Sequence, residues 1–155
     1  MSDDTKTDNV YERFLAVPEY KVAEIIRGGL VTSPRPAVRH AAAASALNAA
    51  IFDPFRRGKG GPGGWVILVE PELRLKGDIP VSDLAGWRRE RMPTSPDSAS
   101  IDIAPDWICE VLSPATAAMD RADKLPIYAE HHVAYAWLVD PQTKTLEVLK
   151  LMLQR

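Results

Sequence analysis

One carboxylate inside an apolar run constrains this chain more than any other feature of its sequence. Glu110 lies in the segment Trp107–Leu112, whose other side chains are all apolar and typical of a buried β-strand. An isolated charge that is removed from water is costly. Glu110 must therefore be paired with a cation, bound to a metal or protonated, and the fold has to bring that partner from another segment.

Two further charged residues stand next to segments that are predicted to be ordered. Asp83 follows the strand-like run Ile79–Ser82, and Lys124 opens a helical segment soon after Glu110. Two carboxylates and a lysine can hold a divalent metal and a phosphate together, because Mg²⁺ prefers oxygen ligands and an ammonium neutralises phosphate charge. Metal-dependent cleavage of a phosphodiester is therefore one hypothesis for this trio.

Each member of the trio also has an ordinary structural explanation. Asp83 could cap a turn, which Asp favours. Glu110 could be an edge-strand charge or an ion-pair partner. Lys124 lies four residues after Asp120, a spacing typical of an exposed helical ion pair that contributes only about 0.2–0.5 kcal/mol. Composition and spacing leave both kinds of explanation open.

Strand-like and helical segments are mixed along the chain and predict an α/β or α+β domain. The predicted strands are Tyr20–Ile26, Leu30–Thr32, Trp65–Val69, Glu72–Lys76, Ile79–Ala85, Trp107–Leu112, Tyr135–Asp140 and Leu146–Leu151. The predicted helices are Tyr11–Val17, Val38–Phe55 (which Pro54 ends or distorts) and Asp120–His131. If Asp123 caps the last helix, Lys124 is its first residue and Pro126 falls in the first turn, where the missing N–H is tolerated.

Length and composition indicate an ordinary globular protein. The chain has 155 residues, of which 46% are hydrophobic, enough for one domain with a core. We expect a disordered, acidic tail over residues 1–10 and a single domain over 11–155. No apolar run approaches the roughly 18 residues of a membrane span, and the single cysteine, Cys109, suits a reducing compartment. These features predict a cytoplasmic protein without a membrane partner.

Charge is distributed unevenly, although the net charge is only −2. Residues 13–91 carry 13 Lys and Arg against eight acids, whereas residues 92–155 carry five against nine. A phosphate-facing surface beside an acidic metal centre would produce this pattern, and so would solvated faces arranged by chance. The glycine-rich segment Arg56–Gly64 lacks the spacing of a phosphate-binding loop, and is predicted to be a mobile hinge with a few basic contacts.

Several segments together resemble the Uma-two-type endonucleases, a bacterial family long catalogued as a domain of unknown function. The segments that carry this resemblance are Ile25–His40, Glu70–Leu73, Ser82–Arg88, Ala104–Thr116, Asp120–Arg121, Lys124, Tyr128–Ala129 and Trp137–Pro141. The similarity runs from about Tyr11 to Lys150. It implies the restriction-endonuclease-like PD-(D/E)XK fold, in which helices flank a central mixed sheet.

The resemblance also implies a metal-dependent endonuclease that acts on nucleic acid, with DNA as the expected substrate. Asp83 matches the family's Pro-Asp motif and Glu110 its second acid, so these two residues would bind Mg²⁺ or Mn²⁺. Leu112 occupies the position of the usual lysine, so Lys124 would supply that charge from the helix and position the water and the scissile phosphate. Glu24 and His40 match other recurring positions and are candidate accessory residues. On the residues alone, a capping or surface histidine is the commoner explanation of His40.

Two departures from the family pattern matter. Ser82 replaces the proline that precedes the first acid. The chain also ends soon after Leu151, where relatives continue through more sheet, so we expect a shortened domain with an exposed edge that could pair with a second copy as a homodimer. The rival hypothesis is a noncatalytic binding or assembly module that keeps the nuclease fold.

Overall fold

A five-stranded mixed sheet with helices on both faces forms the centre of the protein. The computed structural model describes residues 4–94 and 96–152. Its elements are α1 (Asp4–Leu15), β1 (Lys21–Ile26), β2 (Gly29–Pro34), α2 (Val38–Ile51), β3 (Trp65–Val69), β4 (Glu72–Leu73), β5 (Leu84–Arg88), β6 (Ser100–Ile101), β7 (Trp107–Val111), α3 (Ala117–Met119), α4 (Leu125–Glu130), β8 (Tyr135–Asp140) and β9 (Thr145–Lys150). Two π-helical segments, Phe52–Arg57 and Asp120–Lys124, continue α2 and join α3 to α4.

The strand order of the central sheet is β3-β5-β7-β8-β9. Strands β7 and β8 are parallel, and the other neighbouring pairs are antiparallel. Parallel neighbours need a crossover connection, and here the helical stretch from α3 to α4 makes it. The predicted central mixed sheet flanked by helices is therefore confirmed. A separate hairpin, β1–β2, supplies one wall of the candidate site.

Alternating side chains along β7 determine what each face of the sheet meets. Cys109 packs in a cluster with Ile51 of α2, whereas Ile108 packs in a cluster with Ile127 of α4. Successive strand side chains point to opposite faces, so Glu110 shares the α4 face with Ile108. This alternation directs the single carboxylate of β7 toward the crossover helix.

Most predicted elements are present, with different bounds. Helix α1 begins at Asp4, where a disordered tail was predicted; residues 1–3 lie outside the described part of the chain. The strand predicted over Glu72–Lys76 is reduced to β4, because Leu75 and Asp78 close a tight turn around Gly77, whose φ is +90°. Pro54 distorts α2 into the π-helical segment, as the sequence predicts. No helix in the described residues is long and apolar enough to cross a membrane.

Candidate active site

The register of the central sheet brings the two predicted acids together. Leu84 of β5 pairs with Cys109 of β7 in an antiparallel ladder, and one more step of this register places Asp83 opposite Glu110. The Asp83 carboxylate also accepts a hydrogen bond at Oδ2 from the backbone N–H of Val111, at 2.6 Å. Asp83 is thereby held at the mouth of the same cavity that Glu110 lines.

Lys124 lies at the centre of a buried network. Its Nζ is 2.8 Å from Glu24 Oε1 and 3.0 Å from Glu110 Oε1, and it donates to the carbonyl oxygen of Val81 at 2.9 Å. Asp120 Oδ1 is farther away, at 3.7 Å. The explanation of Lys124 as an exposed ion pair with Asp120 is wrong, because both side chains are about 3–4% exposed and Glu24 and Glu110 are the closer partners.

Helix geometry accounts for this position of Lys124. The predicted helix start at Asp123 is absent, since Ala117–Glu130 runs through α3, the π-helical segment and α4 without interruption. Lys124 is the last residue of the π-helical segment, and Pro126 is the second residue of α4, inside the continuous helical stretch and not in the first turn of a helix that Asp123 caps. π-Helical turns inside helices occur frequently at functional sites, and this one turns Lys124 toward β7.

Two neutral contacts hold the carboxylates of the network in place. Glu24 Oε1 accepts a hydrogen bond from the backbone N–H of Val81 at 2.8 Å. The Tyr128 hydroxyl donates to Glu110 Oε1 at 2.7 Å. In each carboxylate the same oxygen, Oε1, therefore contacts both the Lys124 ammonium and a second hydrogen-bond donor. This satisfies much of the hydrogen-bonding demand that burial creates.

His40 approaches Asp83 from α2. Its Nε2 is 3.3 Å from Asp83 Oδ1, and this hydrogen bond raises the pKa of His40 above its usual value. Asp83 is therefore contacted on both oxygens, by His40 on one and by the Val111 N–H on the other. Five residues predicted from the sequence, Glu24, His40, Asp83, Glu110 and Lys124, all line one cavity of about 400 Å³. Their catalytic and metal-binding roles remain predictions.

Negative charge is in excess in this cavity. Four carboxylates line it, from Glu24, Asp83, Glu110 and Asp120, against the cations of Arg35, Lys124 and, when protonated, His40. Desolvation raises the pKa of Glu110 well above its usual value and that of Asp120 to about 6. Burial would lower the pKa of Lys124, but the nearby Glu110 carboxylate raises it overall, so its ammonium stays charged.

The donor set fits a hard divalent cation. Carboxylate oxygens are the ligands that Mg²⁺ and Mn²⁺ prefer, and Mg²⁺ commonly uses only one or two of them together with waters and substrate phosphates. Within the described residues, no group of three or more His, Cys, Asp or Glu side chains is arranged around a common point as a ready metal cage. The carboxylates of Asp83 and Glu110, which line the same cavity, remain the predicted metal ligands.

The raised pKa values predict an acid-shifted stability profile for the metal-free protein. Asp120 binds its proton more tightly in the folded protein, where its pKa is about 6, than in the unfolded chain, where its pKa is 3.8. Its contribution to the free energy of unfolding therefore grows as the pH falls from above 6 toward 3.8. His40 acts in the same direction, because a raised folded pKa stabilises at low pH and that stability is lost as pH rises through it. We expect the free energy of unfolding in EDTA to be on the order of 2 kcal/mol higher at pH 5 than at pH 8.

Urea unfolding at the two pH values measures this difference. Asp120→Asn removes one of the titrating groups and is expected to flatten the profile. Glu147→Gln, which removes an exposed carboxylate paired with Arg121, should leave it unchanged. A wild-type protein that is more stable at pH 8 than at pH 5 would contradict the expectation.

Sequence reasoning missed two members of the network. Asp120 was considered as a surface partner of Lys124 and, like Tyr128, as part of a family motif, but neither was predicted to belong to the site. A signal was present, because Asp120, Lys124 and Tyr128 recur at intervals of four and so fall on one helical face. This polar face becomes buried because Glu110 lies opposite it on β7.

Comparisons with known proteins bear on the family and the fold. A family model described as "Uma2: Putative restriction endonuclease" matches residues 11–155. No curated protein matches the chain. A solved structure, described as a putative nuclease belonging to DUF820 from Anabaena variabilis, is 23% identical, with a TM-score of 0.77. The match covers 94% of this chain and 81% of that one, and at this identity it shows a shared fold.

Proposed function

Since this chain belongs to the Uma2 family, described as putative restriction endonucleases, we propose that it hydrolyses phosphodiester bonds in DNA with Mg²⁺ or Mn²⁺ as cofactor. The observation that carries the proposal is the buried Lys124 ammonium, 3.0 Å from Glu110 Oε1 and in the same cavity as Asp83. Two acids and a fixed cation in one cavity form a constellation that can bind both a metal and a phosphate.

Asp83 and Glu110 would hold the metal at the end of β7. Both lie at the cavity, and the sheet register places them side by side. A bound divalent ion would polarise the phosphate and lower the pKa of a coordinated water. The protein's part is to keep the two carboxylates in a fixed relation. The 2.6 Å bond from the Val111 N–H to Asp83 does this, because it ties one ligand to the strand that carries the other.

Lys124 would orient the attacking water and neutralise charge that develops on the scissile phosphate. Its ammonium is preorganised by three oxygen partners. A charge that is already in place costs no reorganisation during the reaction. Glu24 acts through Lys124, since its carboxylate contacts the ammonium at 2.8 Å. His40, protonated at Nε2, would orient Asp83 and add positive charge near the phosphate.

A second candidate function follows from the same network. Lys124 already neutralises one oxygen of Glu24 and one of Glu110, and the described residues show no ready metal cage. A closed network of this kind could persist as a structural feature in a noncatalytic module that binds nucleic acid or another protein. Catalysis requires that Asp83 and Glu110 still offer oxygens to a cation, and metal binding therefore separates the two functions.

Nicking of supercoiled plasmid DNA tests the proposal. We expect the wild-type protein to convert the plasmid to open-circular and linear forms in Mg²⁺ or Mn²⁺ and to lose this activity in EDTA, because the two carboxylates alone activate no water. A metal-dependent rise in melting temperature provides an independent readout, since a ligand that binds only the folded state stabilises it. Nicking that persists in EDTA, or no nicking with either metal, would sink the proposal.

A further inference from the structure

A second cavity lies at the opposite end of the central sheet, on the α2 face. Its volume is about 180 Å³, and five aromatic side chains contribute to its lining: Phe55, Trp65, Trp107, Tyr135 and Trp137. An apolar cavity of about 150 Å³ is known to admit benzene, so this one can accept a single planar ring system. Aromatic walls also favour stacking with such a ring.

Sequence and register together create this aromatic site. Gly86 lies between two indole rings, and a Cβ at that position would be 3.2 Å from both the Trp65 and the Trp107 rings. Any other residue would force these rings to shift. Trp107 and Trp137 meet edge to face, with ring centroids 5.1 Å apart. The glycine thus lets three tryptophans from three strands converge on one surface.

Trp107, which lines this cavity, carries a buried and unpaired hydrogen-bond donor. The residue is only 8% exposed, and its indole N–H has no hydrogen-bond partner among the residues that the structure describes. Buried Trp N–H groups usually find a partner. This N–H is itself shielded from solvent, so the aromatic walls, and not this donor, are what the cavity offers to a ring.

Arginines lie beside this cavity. The Arg88 guanidinium lies over the Trp65 ring, 4.7 Å from its centroid, and Arg89 donates to the carbonyl oxygen of Arg56 at 3.1 Å. Arg56 directly follows the lining residue Phe55. Arg56, Arg88 and Arg89, which we call the basic rim, form no ion pair within residues 4–94 and 96–152. Their charges are therefore available to an external anion.

We propose that this end of the sheet binds an unpaired nucleotide of a nucleic-acid strand, with its base in the aromatic cavity and its flanking phosphates on the basic rim. Aromatic surfaces that stack bases, combined with cations that follow the backbone, are the features of single-strand binding sites. Bases within a duplex are stacked and paired, so they cannot enter such a cavity. The inference rests on the proposed function, since it names how the DNA substrate is held away from the cleavage site.

The separation of the two sites sets the length of strand that both can engage. Asp83, which directly precedes β5, and Arg88, its last residue, are five residues apart, which corresponds to roughly 17 Å at the usual rise of a strand. Because β5 itself is buried, this straight-line separation is the shortest that a bound strand would have to span. At the roughly 3.4 Å per nucleotide of a duplex strand, about five nucleotides would cover this distance, and an unstacked strand, which extends farther per nucleotide, would need fewer. A strand that is unpaired a few nucleotides from the scissile bond would occupy both sites.

Fluorescence anisotropy in EDTA tests binding without cleavage. The probe is a labelled 15-nucleotide oligo(dT), compared with the matching duplex and with an oligonucleotide that has abasic sites. We expect the single strand to bind more tightly than either. Tyr135 is 43% exposed at the cavity, and Tyr135→Ala should weaken single-strand binding by about tenfold, the effect of losing one stacking partner. The same change should not alter binding of the abasic probe.

The basic rim is tested by salt dependence. Arg88→Gln/Arg89→Gln should reduce the slope of log Kd against log salt concentration by about 1.4, because each phosphate contact to a single strand contributes about 0.7. Arg13→Gln/Arg121→Gln is the matched control, since it removes two exposed arginines elsewhere, and its slope should equal that of wild type.

Duplex or abasic DNA that binds as tightly as oligo(dT), or rim variants that behave like the control, would overturn the inference. Circular dichroism and urea unfolding confirm that each variant is folded. Plasmid nicking in Mg²⁺ is scored separately. Single-strand binding by a protein that never nicks would defeat the proposed endonuclease and leave this inference standing. Nicking without base-dependent binding would support the endonuclease and defeat this inference.

Discussion

Replacing Lys124 with methionine is expected to destabilise the protein by about 3 kcal/mol or more at pH 8 and to reduce cleavage by at least about 100-fold. The ammonium is 2% exposed and contacts Glu24 and Glu110 at 2.8 and 3.0 Å. Without it, two buried carboxylates lose their counter-charge. Removing one partner of a buried ion pair is far more costly than removing the whole pair. Urea unfolding and plasmid nicking measure the two effects.

The cause of this destabilisation can be tested with pH and a second substitution. Burial already raises the pKa of Glu110, so protonation should relieve the unpaired charge, and the destabilisation by Lys124→Met should be smaller at pH 5 than at pH 8. Adding Glu110→Gln should recover part of the lost stability for the same reason. Lys150→Met, the same change on the exposed strand β9, should alter stability by no more than about 0.5 kcal/mol.

A Lys124→Met protein that is as stable as wild type would show that the network contributes no net stability. A stable variant that also cleaves normally would remove Lys124 from the mechanism. Loss of cleavage with unchanged stability would instead favour a purely catalytic lysine. The two measurements therefore separate the structural contribution of the ammonium from its chemical one.

Much of the sheet could be predicted from the sequence because its strands are short, apolar and bounded by turns. Trp107–Leu112 and Tyr135–Asp140 were predicted almost to the residue, and β7 and β8 occupy them. The pairing of these strands could not be predicted, because alternation defines the faces of a strand but not its neighbour. The meeting of Asp83 and Glu110 depended on that pairing, and only the family resemblance pointed to it.

The environment of Lys124 was the least predictable part of the site. Asp123 and Pro126 together are typical of a helix N-terminus, so they predict an exposed helix that begins at Asp123. The structure instead continues the helix through a π-helical segment, and this changes which face meets the sheet. A local signal cannot reveal such a shift, because the burial of Lys124 depends on Glu24 and Glu110, which lie 100 and 14 residues earlier.

Asp83→Asn is expected to abolish metal-dependent nicking while leaving the fold intact. The substitution keeps the shape of the side chain and an oxygen that can accept from the Val111 N–H, which lies 2.6 Å from Asp83 Oδ2 in the wild-type protein. It removes the negative charge that a divalent cation requires. We expect cleavage to fall by at least about 100-fold, in the range seen when one electrostatic contributor is removed from an active site. Stability should change by less than about 1 kcal/mol, since the neutral hydrogen bond is retained.

His40 makes this substitution informative beyond the loss of activity. Its pKa is raised chiefly by the hydrogen bond to Asp83, so Asp83→Asn should lower that pKa, which NMR titration of the imidazole measures directly. Glu147→Gln, which neutralises an exposed carboxylate on β9, should change neither nicking nor the titration of His40. If Asp83→Asn nicks DNA like wild type while His40 shifts as expected, Asp83 positions the histidine but does not bind the metal. The metal ligands would then have to be sought among Glu24, Glu110 and Asp120.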